Sequence, residues 1–195
     1  TILITGIQIQ NVDASTKSDV EKNVQLACSA IRTHFQSQEK KSRVFLLPEL
    51  SSCGYPLDSK FDNLNAVSEC IENSVSIDTF SQLSKELSVF ICFGFILEED
   101  EKYYIAQGVC NPEGSLECIY RKIHLCSFGA CSERTHFQIP KKMDPSLLQE
   151  KELERLLPVF ECDGYKIGIA ICYDVRFPEV FRLLALKRGC DVVLH

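Results

Sequence analysis

Residues 165–179 read YKIGIAICYDVRFPE, and the organisation of the chain follows from this stretch. Residues 167–171 form a short apolar run, β-branched except for Gly168 and Ala170. A run of this length and composition predicts a strand buried on both faces. Cys172 comes at its end. Residues 173–177 then break the apolar pattern, and Pro178 suits the first turn of a helix. Over residues 178–188 the spacing puts Val180, Phe181, Leu184 and Ala185 on one face, and Gly189 stops the helix. A cysteine therefore sits on a sharp strand-to-helix turn. Such a turn holds a side chain at a sheet edge, beside backbone N–H groups that lack helical partners.

Upstream, Ile2, Ile4, Ile7 and Ile9 predict a first strand over residues 2–10. Asp19 is the predicted cap of a helix running to about Gln38, with Val20, Val24, Ala27, Ile31 and Phe35 at helical spacing. Residues 43–47 predict a second strand, closed by Pro48 and Glu49. Residues 50–61 read as a loop, because Ser51, Ser52, Gly54 and Pro56 are turn residues. A short helix is expected over residues 63–72. A clearer one follows a cap at Ser76 or Asp78 and carries Phe80, Leu83 and Leu87. Residues 89–97 predict a third strand.

Two hairpins come next. Residues 103–110 and 116–121 flank NPEGS, and residues 158–162 and 166–171 flank Asp163 and Gly164. Residues 123–149 between them are the least regular part, with a short helix expected near Ser146. Residues 191–195 begin another strand. Early alternation of strands and helices, followed by hairpins, argues against a simple doubly wound sheet. It predicts an α/β fold, a layered sandwich with mixed sheets.

The formal net charge of -6 argues against a nucleic-acid or anionic-membrane partner, since either favours a basic patch. The longest apolar runs are too short to span a membrane. No basic leader or cleavage-like site is visible at the start, so no secretory signal is expected. The eleven cysteines are scattered, several of them inside apolar patterns, as with Cys28, Cys92, Cys110 and Cys190. Together these features predict free thiols in a reducing, cytoplasmic setting.

Glu49, Lys122 and Cys172 each lie just beyond the end of a predicted strand. Strand ends collect sites in α/β sheets, because side chains there are held by the sheet yet open to a cleft. The trio is chemically coherent. A thiolate attacks an electron-poor carbon, a carboxylate takes the proton and later activates water, and a lysine stabilises the developing anion. The backbone N–H of Tyr173 is a second donor for that anion. Spacing alone leaves the bland readings open: core filler for Cys172, a solvated loop residue for Glu49, a surface cation for Lys122.

Four segments narrow the choice. RVFLLPEL (residues 43–50) with GYP (54–56), YRKIHL (120–125) and GIAICYDVRFPE (168–179) resemble the signature blocks of the nitrilase superfamily of carbon–nitrogen hydrolases. They occur in the family's order, and the resemblance runs from the first strand to the last residue. It implies an α-β-β-α sandwich, a Glu49–Lys122–Cys172 triad, a thioester acyl-enzyme, and no metal or organic cofactor. It also implies a homodimer acting on a small-molecule amide. The CYDVRFPE form is similar to the branch that hydrolyses small carboxylated amides, so an amidase is expected over a nitrilase. Family members usually run further, so residues 1–195 are expected to be a carbon–nitrogen hydrolase domain lacking its C-terminal strands. The alternative on that ground is a catalytically inactive binding or structural module.

The resemblance also singles out Glu133, four residues before Phe137, as a second glutamate that positions Lys122 and the substrate. Pro140 and its two lysines stand where the family usually has a glycine. His124, Cys126, Cys131 and His136 offer a rival zinc set. Their spacings lack a close cysteine pair, and they follow the lysine block, where the family has a histidine and no metal. Asp174 and Arg176 are expected to fold the turn through hydrogen bonds and an ion pair. Arg176 is also expected to reach a substrate carboxylate, since a guanidinium suits bidentate contact.

Overall fold

The computed structural model describes residues 1–55, 61, 63–128, 132–140 and 150–195. Two sheets face each other. The first contains β1 (Ile4–Gly6), β2 (Val44–Leu46), β3 (Phe90–Glu99), β4 (Lys102–Cys110) and β5 (Leu116–Arg121), in that spatial order. The second contains β6 (Val159–Cys162), β7 (Tyr165–Ile169) and β8 (Val192–Leu194).

Connection length sets the direction of pairing. Parallel neighbours need a crossover, usually helical, whereas antiparallel ones need only a tight turn. β1, β2 and β3 are parallel. They are linked through α1 (Lys17–Ser37), and then through α2 (Leu64–Val67), a 3-10 turn over Ile71–Asn73 and α3 (Val75–Leu87). β7 and β8 are parallel, linked through α6 (Pro178–Leu186). The two expected hairpins form as β4–β5 and β6–β7. In the second, Asp163 and Gly164 both take positive φ, 51° and 82°, as a two-residue turn of the right twist requires. Two short helices, α4 (Glu133–His136) and α5 (Glu150–Leu156), complete the described elements.

The layers are helix, sheet, sheet, helix. α1 buries Val20, Val24, Ala27 and Ile31, the face its periodicity predicts. α3 packs beside α1 and against β3 and β4, with Phe80 4.7 Å from Phe93. α6 lies on β7, where a Cβ at Gly168 would meet Leu184 at 2.8 Å and Cys190 at 2.9 Å. Between the sheets, the rings of Phe90 of β3 and Phe160 of β6 pack at a tilt with their centroids 5.0 Å apart.

The structure corrects several local expectations. Thr16, not Asp19, caps α1: its hydroxyl accepts from the Asp19 N–H at 3.3 Å and donates to Asp19 Oδ2 at 2.7 Å. Asp19 occupies the first turn, where a carboxylate favours the helix dipole. Ser74, rather than Ser76 or Asp78, caps α3 by accepting from the Ile77 N–H at 3.0 Å. β1 is shorter than residues 2–10, because its only ladder partner, β2, is three residues long. Residues 63–72 do not form one helix. After α2, Glu69 bridges to Leu97, and its buried carboxylate accepts from Ser74 Oγ, Ser76 Oγ and the Ser76 N–H. α6 ends at Leu186 rather than Arg188. The helix expected near Ser146 lies outside the described residues. Among the described residues no helix is long and apolar enough to cross a membrane, and Cys28, Cys53, Cys92, Cys110 and Cys162 are buried free thiols.

Candidate active site

Glu49 leaves β2 through a tight turn. The Ser51 N–H donates to Pro48 O at 3.2 Å, and Leu50 takes φ 52°. This turn rests directly on Gly94 of β3. A Cβ there would lie 2.3 Å from the Leu50 nitrogen and 2.6 Å from Pro48 O, so only glycine admits the approach. Ser51 closes the contact, its hydroxyl accepting from the Gly94 N–H at 3.0 Å.

Lys122 follows β5, held where its N–H donates to Ile105 O at 2.8 Å. Its side chain is fully buried, and Nζ donates to Glu49 Oε1 at 2.7 Å and to Glu133 Oε1 at 2.9 Å. Glu133 opens α4 and is itself buried. Its Oε1 also accepts from the Tyr55 hydroxyl at 2.8 Å, and its Oε2 from the Cys126 N–H at 2.7 Å. A buried ammonium is tolerated only with such partners.

Cys172 opens a 3-10 turn over Cys172–Arg176 at φ 44°. For a residue with a Cβ this left-handed conformation costs about 1–2 kcal/mol, so the surroundings must enforce it. Asp174, fully buried, does so. Its Oδ2 accepts from the Ile171 N–H at 3.0 Å and from Tyr120 OH at 2.7 Å. Its Oδ1 lies 3.0 Å from the His124 N–H and 2.9 Å from His124 Nδ1. Tyr120 and His124 flank Lys122 in sequence, so one carboxylate ties the cysteine turn to the lysine segment. The His124 ring also stacks on Phe177 at 3.6 Å.

The charges shape the proton affinities. Burial raises the Glu49 carboxyl above its ordinary range, although the Lys122 ammonium pulls the other way. Burial opposes charge on Lys122, but Glu49 and then Glu133 outweigh it and hold the ammonium above its usual range. Desolvation, followed by the Glu49 charge, pushes the Cys172 thiol up to about 11, against the pull of Lys122. Cys172 is also the one exposed thiol among the described cysteines.

A cleft of about 390 Å³ opens at this place, between the ends of β1 and β2 on one side and β7 on the other. Gln8, Glu49, Gln107, Cys172 and His195 supply polar groups to an otherwise largely apolar lining.

The structure thus brings Glu49, Lys122 and Cys172 together, with Glu133 beside them. Tyr173 is half-buried, its ring edge-on to Phe177 at 5.6 Å. Arg176 is exposed and is not among the residues lining the cleft. The expected Asp174–Arg176 ion pair does not form; Asp174 faces His124 instead, because its oxygens already serve the turn and the lysine segment. The rival zinc set disperses: His124 faces Asp174, while His136 packs on Phe61 at 5.4 Å. Cys131 lies outside the described residues, among which no group of three metal-ligating side chains assembles.

Tyr55, Gln107, Gly94 and His195 are site residues that the sequence reading did not single out. Tyr55 stood in the GYP segment, but nothing local connects it to a glutamate 78 positions away.

Comparison with known proteins agrees with this architecture. The profile of the family described as Carbon-nitrogen hydrolase matches residues 3–195. The chain is 32% identical over 188 residues to the omega-amidase NIT2 of Homo sapiens, covering 96% of this chain and 60% of that protein. It is 31% identical over 179 residues to a probable nitrilase of Schizosaccharomyces pombe, covering 90% of this chain and 57% of the relative. The chain therefore spans about three fifths of the length of these curated relatives. Its fold is similar to that of a carbon–nitrogen hydrolase from Helicobacter pylori G27, with a TM-score of 0.76 at 19% identity, covering 98% of this chain and 58% of that one. It is also similar to Saccharomyces cerevisiae Nit3, with a TM-score of 0.72 at 21% identity, covering 98% and 62%. The chain belongs to the carbon–nitrogen hydrolase family, within the nitrilase superfamily.

Proposed function

We propose that this chain carries the catalytic centre of a thiol amidase that releases ammonia from a small linear amide. The observation that carries this reading is the buried Lys122 ammonium, clamped between Glu49 and Glu133 beside the exposed Cys172 thiol. Cys172 Sγ attacks the amide carbonyl while Glu49 takes its proton. Lys122 and the Tyr173 N–H stabilise the tetrahedral oxyanion. Its collapse breaks the carbon–nitrogen bond, and the proton held by Glu49 leaves with ammonia. Glu49 then takes a proton from water, which attacks the thioester and releases the carboxylic acid and the free thiol. Glu133 positions Lys122, and Tyr55 holds Glu133. Every step is supplied by side chains and water, so the reading calls for no metal or organic cofactor.

Similarity to relatives named as omega-amidases favours a substrate with a terminal carboxylate. A Nesterenkonia amidase, 18% identical with a TM-score of 0.69, is known with acrylamide added at its active-site cysteine, which supports giving Cys172 the nucleophile's part. A homodimer belongs to the same reading and is checked by sedimentation. The test is ammonia release from small linear amides with and without a terminal carboxylate, and from the matching nitriles. Turnover is expected for amides with the unaltered chain and its loss with Cys172→Ala. Absence of turnover from both would overturn the reading, and so would a Cys172 thiol that iodoacetamide modifies no faster than the buried ones.

A further inference from the structure

The oxyanion in the proposed reaction needs the Tyr173 N–H to point in one direction while Cys172 sits in a strained conformation. The Cys172–Tyr173 peptide bond carries both the Cys172 carbonyl and the Tyr173 N–H. Among the described residues every peptide bond is trans, so these two groups point oppositely and rotate together. Whatever grips the carbonyl therefore aims the N–H.

That carbonyl is gripped from another strand. His195 Nε2 lies 2.9 Å from Cys172 O. A carbonyl only accepts, so Nε2 carries the proton and donates. The register of β8 puts His195 there. Leu194 pairs with Ile169 across the parallel ladder, the Ala170 N–H donates to Leu194 O at 2.9 Å, and the Leu194 side chain is buried. The next residue along β8 must then stand beside residues 171 and 172. The imidazole lines the cleft and lies 6.3 Å from the Phe181 ring of α6. Asp174 holds the turn from within, through the Ile171 N–H. His195 holds the peptide that Asp174 does not reach.

We propose that His195 is a positioning residue for the oxyanion donor: its grip on the Cys172 carbonyl fixes the direction of the Tyr173 N–H. The inference rests on the reading of Cys172 as the nucleophile. It predicts a split between two reactions of one thiol. Acylation by p-nitrophenyl acetate passes through a tetrahedral oxyanion, with loss of p-nitrophenolate. Alkylation by iodoacetamide displaces iodide and forms no oxyanion.

The experiment compares both rates at Cys172 in the unaltered chain, His195→Ala and His195→Gln, with Cys172→Ala as the background control and thermal melting recorded for each. His195→Ala is expected to slow acylation by about 10-fold, less than outright removal of an oxyanion donor, and to leave alkylation within about 2-fold. His195→Gln keeps a donor N–H at similar reach and is expected to restore acylation. Equal losses in both reactions, no loss in either, or no recovery with glutamine would each overturn the role of His195. Acylation equally fast in Cys172→Ala would instead overturn the reading of the nucleophile itself.

Discussion

Two carboxylates share one ammonium beside the Cys172 thiol, and that imbalance decides how the nucleophile can be made. Burial first, and then the Glu49 charge that a thiolate formed in advance would have to face, hold the thiol up to about 11. Its proton has to move as the carbon–sulfur bond forms, and the nearby base of raised affinity is Glu49. The sign follows directly. In the proposed mechanism Glu49 acts in its ionised form, so activity is expected to be lost as pH falls through its carboxyl pKa, and burial has moved that pKa up. The acid limb of kcat is therefore expected above the ordinary glutamate value of about 4.3. Glu49→Gln removes the base together with one negative charge. Ammonia release is expected to fall by about 10²–10⁴-fold. The pH profile of Cys172 alkylation should meanwhile shift downward, because Lys122 then acts on the thiol less opposed. An unchanged alkylation profile would show that the Glu49 charge is not what holds the thiol neutral.

At the scale of elements, each reactive side chain depends on how its strand ends. The Glu49 turn exists because β3 offers Gly94 beneath it, with no room for a Cβ. Gly94→Ala is expected to push the turn outward, costing about 1–3 kcal/mol and moving Glu49 away from Lys122. Urea denaturation measures the first effect and kcat for amide hydrolysis the second. A variant of native activity would mean that the turn yields without moving its carboxylate. The strand ends themselves were legible in the sequence, since apolar runs closing at Pro48 and Cys172 and a hairpin strand running into Lys122 mark where side chains leave the sheet. Gly94 was not legible: inside an apolar run a glycine reads only as a weak point, and its neighbour lies on a segment more than 40 positions earlier. The caps of α1 and α3 were misread by a few positions. Thr16 and Asp19, and likewise Ser74, Ser76 and Asp78, all have side chains able to cap, and only the path of the backbone chooses among them.

Across the whole molecule, the cleft is the gap left where two sheets meet, so packing between the sheets sets its width. Phe160 is buried against Phe90 at 5.0 Å, whereas the Arg43–Asp163 pair between the same sheets, at 3.1 Å, is solvent-exposed on both sides. Magnitudes separate them. Emptying a buried phenylalanine site costs about 3–5 kcal/mol, and an exposed ion pair contributes about 0–1 kcal/mol. Phe160→Ala is therefore expected to lower the urea midpoint far more than Arg43→Ala, and to weaken amide turnover as the cleft loosens. Equal midpoints for the two variants would show that the sheets are not held by their aromatic contact.

By itself the sequence determined the α/β class, the strands that carry Glu49, Lys122 and Cys172, and the blocks resembling one hydrolase family. Those features are local: periodicity, turn residues and short motifs are written in consecutive positions. The family resemblance already pointed to Glu133 beside Lys122; only the tertiary structure decided that Tyr55 holds that glutamate in the lysine clamp, that Asp174 binds Tyr120 and His124 rather than Arg176, and that His195 meets the Cys172 carbonyl. These contacts join residues 11 to 78 positions apart, and Cys172 owes its place to them. A thiol at a strand end is one of eleven in this chain. It is set apart by a strained backbone, held by the buried Asp174 carboxylate two residues on and by a histidine that arrives from elsewhere in the fold.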